Sequence, residues 1–228
     1  MKKTLNFSKA VFCSVLILFV NIPVHAQSDT ANSGKNLPNF LFPDFMQAVV
    51  KLKSGQVNRA TVNYNIIDQE MVFMQDGTYM VLDDPQTVDT LYVGSRQFVP
   101  FKNVFYELVL TGPATLFIQH KSEAEPLGTP TAYGVRSQSA SGVYHKQFYG
   151  PTGSINLKMP DGFKLTDMTE YWARKGDAMG SFTTRRQFLK IFKDKSKELG
   201  AYLDQNNINF KNINDIVKLF NYCNELYN

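Results

Sequence analysis

Met71-Val-Phe-Met-Gln-Asp-Gly-Thr-Tyr-Met-Val-Leu82 decides how this chain folds. Two five-residue, largely apolar runs flank Asp76-Gly77. A two-residue Asp-Gly loop is a strong hairpin signal, because a type I′ turn needs positive φ at both central residues. The implied register sets Gln75 opposite Thr78, Met74 opposite Tyr79, Phe73 opposite Met80, Val72 opposite Val81 and Met71 opposite Leu82. Paired residues share a face and successive residues alternate. One face therefore carries Met71, Phe73, Met80 and Leu82, and the other carries Val72, Met74, Tyr79 and Val81. Both faces are apolar, so each calls for a cover.

Strand patterns continue on either side. Ala48 to Lys53 alternates, Ser54-Gly55-Gln56 turns the chain, and Val57 to Asn65 follows. In that segment Ala60, Val62 and Tyr64 lie on one side, with Arg59, Thr61 and Asn63 on the other. Asp83-Asp84-Pro85 ends the central hairpin, since proline cannot donate to a ladder. Asp89 to Val93 and Arg96 to Phe101 flank Gly94-Ser95, which fits a II′ turn with glycine first. Val104 to Leu110 and Ala114 to His120 flank Thr111-Gly112-Pro113. Short strands at this spacing predict an antiparallel meander, closed into a small barrel or folded into a sandwich.

Residues 121–145 break every period and read as an irregular loop, of a length that is functional or disordered in a compact domain. Strand patterns resume at Lys146–Tyr149, Ser154–Lys158 and Glu170–Arg174, the last turning through Lys175-Gly176-Asp177 into Met179–Phe182.

Residues 183–228 differ in kind. Thr184-Arg-Arg-Gln187 has capping-box spacing ahead of Phe188, Leu189, Ile191 and Phe192. Asp194 is placed to cap a second helix carrying Leu199, Tyr202 and Leu203. Asn212 is placed to cap a third, with Asp215 in its first turn, where the helix dipole favours a carboxylate. There Ile216, Phe220, Cys223 and Tyr227 recur on one helical face, beside Ile213 and Val217. Two or three short helices of this kind are marginal alone. The expected class is α+β, with the helices laid on the second apolar face of the meander.

The first 26 residues describe a secretory signal. Lys2 and Lys3 precede an apolar run from Ala10 to Val20, and Val24-His25-Ala26 ends in a small residue. The run is shorter than the ~20 residues a membrane helix needs. Cleavage after Ala26 leaves a lead over 27–45, a β-rich body over 46–182 and a helical segment over 183–228. The lead is rich in Ser, Asn, Thr, Gly and Pro and reads as flexible, with Phe40, Leu41 and Phe42 able to dock.

Of the 24 basic residues, Lys2, Lys3 and Lys9 lie in the signal, and all 20 acidic residues lie beyond it, so the processed chain carries a net charge of +1. That excludes the concentrated positive field a nucleic acid requires. No transmembrane segment remains after cleavage, and about 200 residues suffice for a core without staples. Cys223 is the one cysteine left, within an apolar helical pattern, so it reads as a buried thiol.

Two likenesses follow from these residues. Val49 to Val93 resembles SH3-like or Sm-like small barrels. The likeness rests on Val50-Lys-Leu-Lys-Ser-Gly55, the strand ending Val62-Asn-Tyr64, the Asp-Gly hairpin and the closing Val88-Asp-Thr-Leu-Tyr-Val93. Such folds host many functions, so the likeness implies a fold and no activity. The whole chain resembles a group of exported proteins of the Bacteroidetes type. Here the shared stretches include Val50–Gln56, Lys175-Gly176-Asp177, Arg186–Phe192 and Asp215–Leu219. This likeness implies export and the same architecture.

For chemistry, the processed chain offers His120 and His145 and lacks a zinc helix, a Cys-x-x-Cys pair, a calcium loop and a Gly-x-Ser-x-Gly elbow. No metal or cofactor is expected. Glu107, Glu123, Glu125 and Glu170 are the carboxylates from which a glycosidase pair would be drawn. The basic run Arg185, Arg186, Lys190, Lys193 and Lys195 reads as a solvated helix face. Planar side chains give contact area at low entropy cost. Tyr133, Arg136, Tyr144 and His145 in the loop, with Trp172 on a late strand, are therefore the expected ligand contacts. The expectation is an exported, non-enzymatic binding module, whose partner is an envelope protein or a glycan. The alternatives are a carbohydrate-active or hydrolytic enzyme with a carboxylate or histidine site, and a structural envelope component.

Overall fold

The structure is a computed structural model that describes residues 37–127 and 163–228, with the backbone of 129–130 and 136–137 between them. Strands β1 (Met46–Leu52), β2 (Val57–Asn65), β3 (Glu70–Gln75) and β4 (Thr78–Val81) come first. A 3-10 turn over Pro85–Thr87 then leads into β5 (Val88–Val93), β6 (Arg96–Phe101), β7 (Val104–Leu110) and β8 (Ala114–Gln119). Next come β9 (Ser122–Pro126), β10 (Thr129–Pro130), β11 (Arg136–Ser137), β12 (Phe163–Asp167), β13 (Glu170–Lys175) and β14 (Ala178–Phe182). Helices α1 (Arg185–Ile191), α2 (Ser196–Asn206) and α3 (Ile213–Tyr227) end the chain. The class is α+β, as the sequence predicts.

Ten strands form one antiparallel sheet, in the order β14-β13-β8-β7-β6-β5-β1-β2-β3-β4. The central hairpin keeps its expected register, from Gln75 opposite Thr78 to Val72 opposite Val81. Its turn has φ of 51° at Asp76 and 76° at Gly77, as type I′ requires. The β5–β6 turn has positive φ at Gly94 alone, the II′ pattern.

The expected closed barrel does not form. β4 and β14 are the two ends of the sheet, and no ladder joins them. The sheet instead curls on itself: Tyr64 on β2 donates its phenolic proton to the Phe105 carbonyl on β7 at 3.3 Å, four strands away. The curl encloses a core of Val62, Tyr64, Met71, Val88, Leu91, Phe98 and Phe105, into which Phe42 inserts.

The helices cover the other half of the same face. Leu116, Ala173 and Phe182 from β8, β13 and β14 meet Phe188, Phe192, Leu199, Ile216, Leu219, Phe220 and Cys223. The helices thus pack on the meander as expected, but beside the curled core on the same face and not on the opposite one. The outer face of the central hairpin is covered by the lead, through Leu37, Phe40 and Phe45 against Val72, Tyr79 and Val81. The helical stripes take the apolar strip of β8, β13 and β14, while the outer face of the hairpin is already taken by the lead.

Residues 37–45 are accordingly docked rather than flexible. Asn63, placed by alternation on the polar side of β2, is fully buried beneath them. Its Nδ2 donates to the carbonyls of Phe42 (2.8 Å) and Asp44 (3.2 Å), and its Oδ1 accepts from the Phe42 N–H (3.1 Å). This side chain extends the backbone pairing of the lead with β2, where the Leu41 N–H donates to the Tyr64 carbonyl and the Ile66 N–H to the Asn39 carbonyl, both at 2.9 Å. Asn63→Ala strands the buried Phe42 N–H and C=O, so a loss of at least about 2 kcal/mol is expected, at about 1–3 kcal/mol for each of the two orphaned groups. Urea denaturation checks this; a loss below ~1 kcal/mol would show that the lead holds by its rings and its backbone bonds to β2 without this amide.

In the helical segment the Thr184–Gln187 capping box forms, with Gln187 Oε1 accepting from the Thr184 N–H at 3.2 Å. Asn212 caps α3 by accepting from the Asn214 N–H. Asp194 does not cap α2, whose N-cap is Lys195. Its carboxylate instead accepts from Lys175 Nζ (2.5 Å) and Tyr227 Oη (3.0 Å), tying the β13–β14 turn to the end of α3. At the β7–β8 turn the side chain of Asn224 accepts from the Ala114 N–H at 2.7 Å. A Cβ on Gly112 would meet that side chain at 2.6 Å, so another residue there would push the Asn224 amide out of this bond.

The first part of the expected irregular loop is strand: β9 pairs antiparallel with β12, Ser122 opposite Asp167 through Pro126 opposite Phe163. The strands expected at Lys146–Tyr149 and Ser154–Lys158 lie outside the described residues.

Candidate functional site

Alternation assigns the inner side of the curled sheet. Val50 and Leu52 point inward from β1, Asn58, Ala60 and Val62 from β2, Met71, Phe73 and Gln75 from β3, and Leu91 from β5. At one end of this interior the space is filled. Phe98 lies 6.1 Å from Phe42 and 6.4 Å from Tyr64, ring centroid to centroid, and Phe105 is buried beside them. Burial pushes the Tyr64 phenol well above its ordinary pKa, so it stays a neutral donor.

At the other end the interior is open. A cavity of about 450 Å³ lies between the central hairpin and β1, β2 and β5. Its floor is Val62, Met71 and Leu91, each fully buried. Its walls are Leu52, Ala60, Phe73 and Leu82, all half-buried, so their apolar faces meet solvent in the mouth. Asn58, Arg59, Gln75 and Thr87 form the rim. The cavity exists because the sheet ends at β4 instead of closing.

The filled end carries a charge cluster on the same face. Arg96 grips Glu107 through two hydrogen bonds, Nε to Oε1 at 2.7 Å and Nη2 to Oε2 at 2.6 Å. His120 Nε2 lies 2.6 Å from Glu107 Oε2. That approach to a carboxylate places the imidazole proton on Nε2, and the 2.9 Å separation of Nε2 from Arg96 Nη2 is then two donors converging on one oxygen. The guanidinium lies 4.9 Å above the Phe42 ring and 5.4 Å above Phe98. Burial works to raise the Glu107 carboxyl, but the hydrogen bonds and charges of His120 and Arg96 outweigh it and hold the pKa at about 2. The cluster links β6, β7 and the end of β8. Its histidine nitrogen is committed to the carboxylate, which makes it a lock between strands.

The other carboxylates lie apart from it. Glu170 accepts from Lys121 Nζ at 2.7 Å, and Glu123 and Glu125 stand on β9, opposite Thr166 and Lys164. Among the described residues no group of three or more His, Cys, Asp or Glu side chains is arranged to hold a metal ion. Burial pushes the Cys223 thiol up to about 12, so it is an inert core residue. The basic run spans α1 and the 3-10 turn Lys193–Lys195 and is largely exposed, with Arg185 bound to Asp204 on α2. No described helix is long and apolar enough to cross a membrane.

Of the expected contact residues, Tyr133, Tyr144 and His145 lie outside the described residues, and Arg136 is described only as backbone, paired with Pro130. Trp172 stands on β13, on the sheet face opposite the cavity. Pairing carries that face from Trp172 through Phe117, Leu108 and Gln97 to Tyr92. Its Nε1 donates to Gln119 Oε1 at 3.1 Å, and its ring meets Tyr106 edge-on at 5.5 Å and Phe101 at 6.2 Å. The wall residues Leu52, Ala60, Phe73 and Leu82 were not singled out by sequence. The signal for two of them was the doubly apolar hairpin, whose Phe73 and Leu82 share the inner face. Against known proteins the chain stands apart: no family model, curated protein or solved structure matches it.

Proposed function

We propose that the protein is an exported, non-enzymatic binding module that takes a small, largely apolar ligand in the open end of its curled sheet. The observation that carries this reading is the cavity of about 450 Å³ with four half-buried apolar walls. Apolar concavities of this size, with a few polar groups at the rim, are the usual form of a small-molecule site. The rim amides of Asn58 and Gln75 offer hydrogen bonds, and Arg59 is the one charged residue of the lining. The N-terminal signal pattern supports export.

The test uses N-phenyl-1-naphthylamine, an uncharged probe whose fluorescence rises in apolar surroundings. Saturable binding by the purified protein is expected. Ala60→Phe, which fills the mouth from its wall, is expected to weaken it at least tenfold, about 1.4 kcal/mol. Circular dichroism checks that the variant stays folded. Absence of saturable binding, or equal binding by the folded variant, would sink the reading.

A further inference from the structure

The outer face of the same sheet holds a second cavity, of about 210 Å³. Its floor is Tyr106 and Phe117, each 3% exposed, and Phe101 stands half-buried at its side. Three charged residues line it: Lys53, Asp89 and Arg174. Asp89 is bound to Lys51 at 3.2 Å. Among the described residues neither Lys53 nor Arg174 has a carboxylate partner, and the Arg174 guanidinium rests 5.3 Å above the Phe117 ring. A guanidinium in that position keeps its fork of donors free for a planar anion while the ring supports its face.

We propose that this cavity binds a small monocarboxylate with an apolar, single-ring body. The rings accept the body, and Lys53 with Arg174 accept the carboxylate. Charge complementarity sets the sign, because two cations face one carboxylate that Lys51 already engages. The lining sets the class: apart from the three charged residues it is aliphatic and aromatic, with no amide or hydroxyl group to meet the several hydroxyls of a sugar acid except the Tyr106 phenol. The proposal is independent of the mouth, which lies on the opposite face.

Trp172 is the one tryptophan of the chain and packs on Tyr106 and Phe101, both of which line this cavity. Its fluorescence, excited at the red edge, therefore reports on this site. Titration with phenylacetate is expected to change that emission saturably, with binding that weakens as salt is added. Benzyl alcohol, which keeps the ring and loses the charge, and glucuronate, which keeps the charge and loses the apolar body, are each expected to bind at least tenfold more weakly. Arg174→Met and Lys53→Met, both at exposed positions, are each expected to weaken phenylacetate at least tenfold with the fold intact. The proposal is overturned by no response to phenylacetate at 10 mM, by equal binding of benzyl alcohol, by tighter binding of glucuronate, or by undiminished binding in both variants.

Discussion

Phe182→Ala is expected to remove about 3–5 kcal/mol of stability, the usual cost of deleting a fully buried phenylalanine. The ring sits where sheet meets helices. It lies 6.0 Å from Tyr171 on the neighbouring strand, 5.3 Å from Phe188 on α1, 5.8 Å from Phe220 on α3 and 6.2 Å from Phe210 between α2 and α3. Its removal therefore opens a cavity shared by four elements, and no single side chain can move to fill it. The three helices have 7, 11 and 15 residues, lengths that are marginal in water without a surface to lie on. Their existence depends on this contact, so sheet and helices are expected to unfold together. Urea unfolding followed by Trp172 fluorescence and by helical circular dichroism checks both claims. The two curves are expected to coincide in the native protein and to shift together in the variant. Helical signal that survives after Trp172 is exposed, or a loss below ~1 kcal/mol, would show that the helices stand without the sheet. Phe182→Leu, which keeps most of the volume, is expected to cost much less.

What the sequence made legible was local. Asp76-Gly77 and Gly94-Ser95 announce their turns because few residues tolerate positive φ, and that constraint fixes register for the strands on either side. Ile216, Phe220 and Cys223 announce a buried stripe because the helical period leaves them on one side. What stayed hidden was set by partners distant in sequence. Asn63 alternates onto the polar side of β2, yet the lead crosses that side and buries it, and residues 37–45 have no period that would announce the crossing. Asp194 has the right spacing for a cap, but Lys175 and Tyr227 offer charge and a hydroxyl, which outbid two backbone amides. Ser122–Pro126 lacks any apolar alternation because its partner strand lies some forty residues on and its faces are not both buried. The candidate site is hidden for a related reason. Ala60, Phe73 and Leu82 read like core residues, and only the failure of β4 to find a further partner turns core into mouth. The hairpin's excess of apolar surface could be read from the sequence; which part of it would stay open could not.

The Glu107 cluster is expected to make the protein lose stability in acid. The carboxyl titrates at about 2 in the folded protein and near 4.5 when unfolded, so its folded pKa is depressed. A depressed carboxyl contributes stability that is fully present above the unfolded pKa and disappears as pH falls through the folded one. The window is therefore between about pH 4.5 and pH 2. The difference corresponds to about 3 kcal/mol as an order of magnitude. Little solvent screening discounts it, since the Glu107 side chain is 12% exposed and His120 14%. Asp194 and Asp204 are also depressed, by Lys175 and Arg185, but both lie in solvent, where such pairs add little. The acid slope should thus belong mainly to Glu107, and Glu107→Gln separates the two sources. The variant leaves Arg96 and His120 converging on a neutral amide beneath Phe42, so a loss of about 3 kcal/mol at pH 7 is expected. Below pH 4.5 its stability curve should flatten and meet that of the native protein near pH 2, where the native carboxyl takes up its proton. Urea midpoints measured from pH 2 to pH 7 for both proteins decide the matter. Parallel curves would assign the acid slope to the surface pairs and leave the cluster as a contact of shape alone. Convergence would show that the strands next to the filled end are held by charge, and that the open end can remain open because the other end is locked.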